Sequence, residues 1–116
     1  MKKRRDRSQA DSWKTRVHAI TSADALIAKA DELCTDRSGN GQDNRNRCMK
    51  AALFFEAAAR AYRRGSLGLA AYGAWTQAKT CYVQLAHKAG AARCEQQRST
   101  VQSSWGDDNA AAKGTF

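Results

Sequence analysis

Four cysteines, Cys34, Cys48, Cys81 and Cys94, are the residues of this 116-residue chain with the most chemistry to offer. Thiols can remain reduced, pair as disulfides or ligate a metal, and the spacing leaves all three uses open. Disulfides would make Cys34 and Cys48 the natural pair, leaving Cys81 with Cys94, each bond adding about 2 to 4 kcal/mol. A zinc site would need the close C-x-x-C knuckles that are missing here. His18 and His87 fall on different segments, with no Ser, Cys or carboxylate at a spacing that gives either of them a shared face. Glu32 and Glu56 are single carboxylates without a paired acid or a Glu-x-x-His motif. Gly39 and Gly41 lack the strand and the Lys-Ser/Thr of a phosphate loop. Asp36, Asn40, Asp43 and Asn44 lack the alternating ligands and closing Glu of a calcium loop. The residues thus imply no catalysis and no cofactor, and no metal is assigned to them.

Charge is the second resource. The net charge is +9, and residues 1–16 carry seven Lys/Arg against two Asp. Lys2, Lys3, Arg4 and Arg5, joined by Arg45, Arg47 and Lys50 near the start of a helix, form a candidate phosphate-binding set, because releasing counterions from nucleic acid is favourable at low salt. A second polar set, Arg60, Arg63, Arg64, Gln77, Lys79 and Gln84, suits the surface of a protein partner. The four basic residues at the start are followed by Asp6, Arg7, Ser8 and Gln9 rather than the apolar run of a signal peptide, so a cytoplasmic location is expected. The longest nearly uncharged apolar stretch, Leu67 to Trp75, is far short of the roughly 20 residues a spanning helix needs.

These residues must be positioned by helices. Pro is absent, 42% of residues are hydrophobic but many of those are alanine, and mean hydropathy is −0.70. No stretch alternates apolar with polar residues as a half-buried strand would. An all-α fold with a thin core and close helix approach is expected, as a single domain over 10–105 between a disordered basic arm (1–9) and a disordered tail (106–116). The first helix should start near Ala10 or Asp11, with Trp13, Val17 and Ile20 as an apolar stripe, an interruption at Thr21-Ser22, and Leu26, Ile27, Ala30, Leu33 and Cys34 buried. A polar loop of about a dozen residues should follow. The second helix should run from about Asn46 to Arg64, ended by Gly65 in a left-handed conformation, with Ser66 capping a third that reaches Gly90. A fourth should span Ala91 to Ser103 behind Cys94 and Val101.

The two-residue connection forces the second and third helices into an antiparallel hairpin. Residues equidistant from that turn lie level, so Cys48 should face Cys81 to Gln84, and all four cysteines should gather toward one end. Phe55, Ala58, Ala59 and Tyr62, followed by Ala71, Trp75 and Ala78, make this hairpin resemble a tetratricopeptide-type helical repeat. The resemblance covers one repeat, about Ala51 to Leu85, with Ala59 where that family favours Gly and no terminal Pro. It implies a repeat-like hairpin at the centre of a four-helix bundle or helical-hairpin domain, sealed by the first and fourth helices. The functions these features suggest are a non-catalytic scaffold or adaptor for another protein, with a homodimer as one form, or a basic accessory protein binding nucleic acid nonspecifically.

Overall fold

Four helices follow one another, α1 (Lys2–Thr35), α2 (Gly41–Arg64), α3 (Gly68–Gln84) and α4 (Lys88–Gly114). The computed structural model describes the backbone of residues 2–36 and 39–114 and the side chains of residues 13–36 and 39–103; no strand occurs among the described residues. The fold is an all-α four-helix bundle. Its helices pack in chain order, α1 on α2, α2 on α3 and α3 on α4, so the central α2–α3 hairpin is flanked on both sides. The loose arm and tail expected over 1–9 and 106–116 fall on stretches whose side chains lie outside the described residues.

Alanine explains how the layers fit. Ala51, Ala52, Ala58, Ala59 and Ala61 of α2 and Ala71, Ala74 and Ala78 of α3 are buried, with Phe55, Tyr62, Trp75 and Tyr82 filling the spaces beside them. Small residues let two backbones approach, and each aromatic ring then buries on the order of 150–250 Å². All seven residues of the repeat-like pattern are in this core.

Helix boundaries differ from expectation in ways local chemistry explains. Thr21 does not interrupt α1, because its hydroxyl donates to the Val17 carbonyl (2.9 Å) and satisfies itself within the helix. Ser22 is therefore an interior residue, and α1 is one helix. Trp13 and Val17 are 59% and 49% exposed, so that part of the expected stripe faces outward, while Ile20 is half-buried. The polar loop is shorter than expected, since α2 starts at Gly41 behind a complete capping box. The Asp43 amide donates to the Asn40 side chain (2.9 Å) and the Asn40 amide to the Asp43 carboxylate (3.2 Å).

Both inter-helix turns have the same form. At the first, the amides of Gly65, Ser66 and Leu67 donate to the carbonyls of Ala61, Arg63 and Tyr62; at the second, those of Leu85, Ala86 and His87 donate to Cys81, Val83 and Tyr82. The left-handed residue is Ser66 (φ 62°) in one and Ala86 (φ 57°) in the other, correcting the assignment to Gly65, which has φ −84°. Gly65 is required for space instead, because a Cβ there would stand 2.6 Å from Ile20 Cγ1. Ser66 gives no cap; Leu67 precedes α3 without a side-chain cap bond. The α3–α4 turn also ends α3 at Gln84, ahead of the expected Gly90, leaving Leu85 half-buried and Ala89 exposed.

Gly90 sits inside α4, where a Cβ would meet the Tyr82 ring at 2.5 Å, whereas a Cβ at Gly73 in mid-α3 meets nothing within 4 Å. Gly73→Ala should stabilise the fold by about 0.5 to 1 kcal/mol through backbone entropy. Gly90→Ala should destabilise it by about 1 to 3 kcal/mol through overpacking. Opposite shifts in urea unfolding midpoint check the pair.

Candidate functional site

One buried carboxylate organises the side chains of three helices. Glu56 of α2 is 2% exposed. It accepts two hydrogen bonds from Arg93 of α4, Nε to Oε1 at 2.8 Å and Nη2 to Oε2 at 3.1 Å, and one from the Tyr82 hydroxyl of α3. Arg60 adds a charge at 3.8 Å. Burial on its own would raise the Glu56 pKa, but the Arg93 and Tyr82 hydrogen bonds and the two guanidinium charges hold it below the ordinary 4.5. The same network pushes the Tyr82 phenol up to about 12, first by burial and then by its bond to Glu56. A parallel contact joins α1 to α2: the Tyr62 hydroxyl donates to Asp24 at 2.5 Å.

Among the described residues, two concavities flank this centre. The first, about 290 Å³, is closed by α1, α2 and α3 and is lined by Cys34, Cys48 and Cys81 together with Asp31, Asp36 and Gln84. As the hairpin register requires, the Cys48 thiol lies 3.5 Å from the Cys81 carbonyl and 3.7 Å from Gln84 Oε1. The Cys81 thiol is pushed up to about 12 by burial and by the neighbouring Cys48 and Cys34 thiols. All four cysteines are thiols. Cys94 does not share the cavity: it is fully buried on α4, raised to about 11 by burial and then by the Glu56 charge. Three of the four cysteines therefore line one cavity, and Cys94 is not among its lining residues. Among the described residues no group of three or more His, Cys, Asp and Glu is arranged to hold a metal ion.

The second concavity, a groove of about 520 Å³, runs between α2 and α4 over Trp75 of α3 and is lined by Arg60, Arg63, Arg64, Arg93 and Gln97. Trp75 is 2% exposed, its indole N–H has no hydrogen-bond partner, and the Arg60 guanidinium lies 5.4 Å from its ring centre. Arg63 and Arg64 occupy the last turn of α2, where the helix dipole favours cations. Neither has an acidic partner among the described residues.

The chain matches no family model, no curated protein and no solved structure. The geometry must therefore carry the functional reading alone. It divides the polar set Arg60, Arg63, Arg64, Gln77, Lys79 and Gln84 into three. The arginines enter the groove, Gln77 and Gln84 line the thiol cavity, and Lys79 is bound to Glu95 (2.9 Å), which also pairs with Arg98 (2.7 Å). Of the phosphate-binding set, Arg45 donates to the Leu85 carbonyl (3.5 Å), Arg47 to the Asn44 side chain, and Lys50 is exposed. The side chains of Lys2, Lys3, Arg4 and Arg5 lie outside the described residues. No helix among the described residues is long and apolar enough to cross a membrane.

Sequence reasoning passed over Arg93, Gln97 and the central role of Glu56. An apolar helix face interrupted by one acid was the signal for Glu56. Its Arg93 partner is 37 residues distant, beyond any local pattern. Glu56→Ala should cost about 3 kcal/mol in urea denaturation at pH 7, because Arg93 and Tyr82 lose their shared acceptor. Since the folded-state pKa is lowered, the contribution of Glu56 is present above the ordinary carboxylate range and disappears as pH falls through the lowered value. The wild-type midpoint should therefore fall more steeply than that of Glu56→Gln as the pH is taken below 4.5.

Proposed function

We propose that this protein is a non-catalytic helical adaptor that docks an acidic segment of a partner protein in the groove between α2 and α4. The observation that carries this reading is four guanidinium groups, Arg60, Arg63, Arg64 and Arg93, lining one concavity, with Glu56, the carboxylate that meets Arg60 and Arg93, buried. Guanidinium forks match carboxylates in bidentate geometry. Arg93 is held in place by Glu56, while Arg63 and Arg64 keep their donors for a ligand. Gln97 adds an amide suited to peptide backbone.

Nucleic acid suits this surface less well. Arg47 and Arg63 are 16 residues apart on α2, which separates these two by roughly 24 Å at 1.5 Å per residue. Trp75 is also too buried to stack on an exposed base, in contrast to the platforms that hold single strands.

A fluorescence titration with a Glu/Asp-rich peptide, set beside a DNA duplex of equal charge, tests the reading. The peptide should bind, weaken with added salt, and lose about tenfold or more in affinity in the Arg63→Glu/Arg64→Glu double variant, since each charge-assisted bond is worth about 1.5 to 3 kcal/mol. Lys50→Glu should leave it unchanged. Peptide binding indifferent to the double variant, or DNA binding tighter than the peptide and sensitive to Lys50→Glu, overturns the proposal.

A further inference from the structure

The thiol cavity is independent of the arginine groove and has its own chemistry. Three helices each deliver one cysteine to it: Cys34 from the last turn of α1, Cys48 from α2 and Cys81 from α3. Their accessibility is graded. Cys34 is exposed, Cys48 is half-buried and Cys81 is 5% exposed. The Cys48 thiol is directed to the Cys81 carbonyl and Gln84, whereas Cys34 and Cys48 are both side-chain neighbours of the Cys81 thiol. An exposed thiol beside a buried one is the arrangement in which a first residue meets an external disulfide and a second resolves it.

We propose that Cys34 and Cys81 are a thiol–disulfide exchange site, in which a low-molecular-weight disulfide of the glutathione type converts the two thiols into an internal disulfide. The Cys34 thiolate attacks one sulfur of the external disulfide, forming a mixed disulfide and expelling one glutathione thiolate. The Cys81 thiolate then attacks Cys34 Sγ, the protein disulfide forms, and the second glutathione leaves. Two protein thiols are oxidised, one external disulfide is reduced to two thiols, and the two thiol protons end on the released glutathiones. Cys34 meets the external disulfide first, because it is exposed whereas Cys81 is 5% exposed. The new bond would tie α1 to α3, which otherwise touch α2 far more than each other, and so fix the outer helix.

The chemistry of the cavity sets the pace of the second step. The titratable groups around Cys81 are Asp31, Cys34 and Asp36 from the α1 side and Cys48 from α2. None is a cation that would favour the thiolate, and burial and the adjacent thiols raise Cys81 to about 12. Its thiolate fraction therefore grows about tenfold per pH unit through the neutral and mildly alkaline range.

The full chain, incubated with oxidised glutathione and digested without reductant, should yield a Cys34–Cys81 cross-linked peptide, with Cys48 and Cys94 recovered as alkylated thiols and the bond removed by dithiothreitol. Release of the second glutathione should accelerate about tenfold per unit between pH 7 and pH 9. Cys48→Ser and Cys94→Ser should form the same bond, and Cys34→Ser should form none. Cys81→Ser should stop at a glutathione adduct on Cys34, with its helical circular dichroism compared with wild type. Because a buried substitution can unfold the chain, the wild-type peptide map and the exposed Cys34→Ser variant are decisive by themselves. An internal bond to Cys48 or Cys94, a stable Cys34 adduct in wild type, or a second step indifferent to pH overturns the proposal.

Discussion

The bonds from Glu56 to Arg93 and Tyr82 are the interaction on which the rest of this bundle depends. A carboxylate nine-tenths buried is tolerable only when its lone pairs are filled and its charge is met. Here the donors come from two other helices, so satisfying one side chain fixes the relation of α2, α3 and α4. The consequences spread outward. Tyr82 is held where Gly90 must leave room for its ring, and Arg93 is held where it becomes one wall of the cationic groove. Asp24 and Tyr62 repeat the device between α1 and α2: in each case a tyrosine near the end of one helix is bound to a carboxylate on the helix before it.

Alanine supplies the complementary constraint. With so many methyl-sized contacts, neighbouring helices sit close, and the four large buried rings fill the remaining space rather than hold the layers apart. Close approach leaves little room for concavities in the hairpin itself. Both open where the hairpin meets an outer helix, one closed by α1 and the other by α4. The first holds thiols of graded exposure and the second holds guanidiniums. A short chain thus presents two chemically distinct surfaces on a common core.

The helical periodicity of Phe55, Ala58, Ala59 and Tyr62, and of Ala71, Trp75 and Ala78, was readable because burial on one face repeats every three or four residues. The level of Cys48 with Cys81 was readable too, since a tight turn makes distance from the turn a coordinate shared by both helices. Boundaries were less legible. Asn40 and Asp43 looked like loop polarity, yet they cap α2, because the same oxygen acceptors serve a turn and a helix start. Gly65 does end α2, but the space beside Ile20 rather than a left-handed backbone is what calls for it, and Gly90, which looked like a helix end, sits inside α4 against the Tyr82 ring. Trp13 and Val17 had the right spacing for burial, yet both are exposed.

The sequence by itself determined that the chain is helical, that α2 and α3 form a hairpin, and that Cys48 and Cys81 lie level, because these follow from local propensity, periodicity and a short turn. Only the tertiary structure decided that Cys94 is left out of the cavity Cys34 shares with them, and that Arg93 crosses to Glu56 to complete a groove with Arg60, Arg63 and Arg64. Those outcomes depend on the rotation of one helix about another, which side-chain size and the satisfaction of a buried charge settle, and neither quantity is written in the spacing of residues along a single helix.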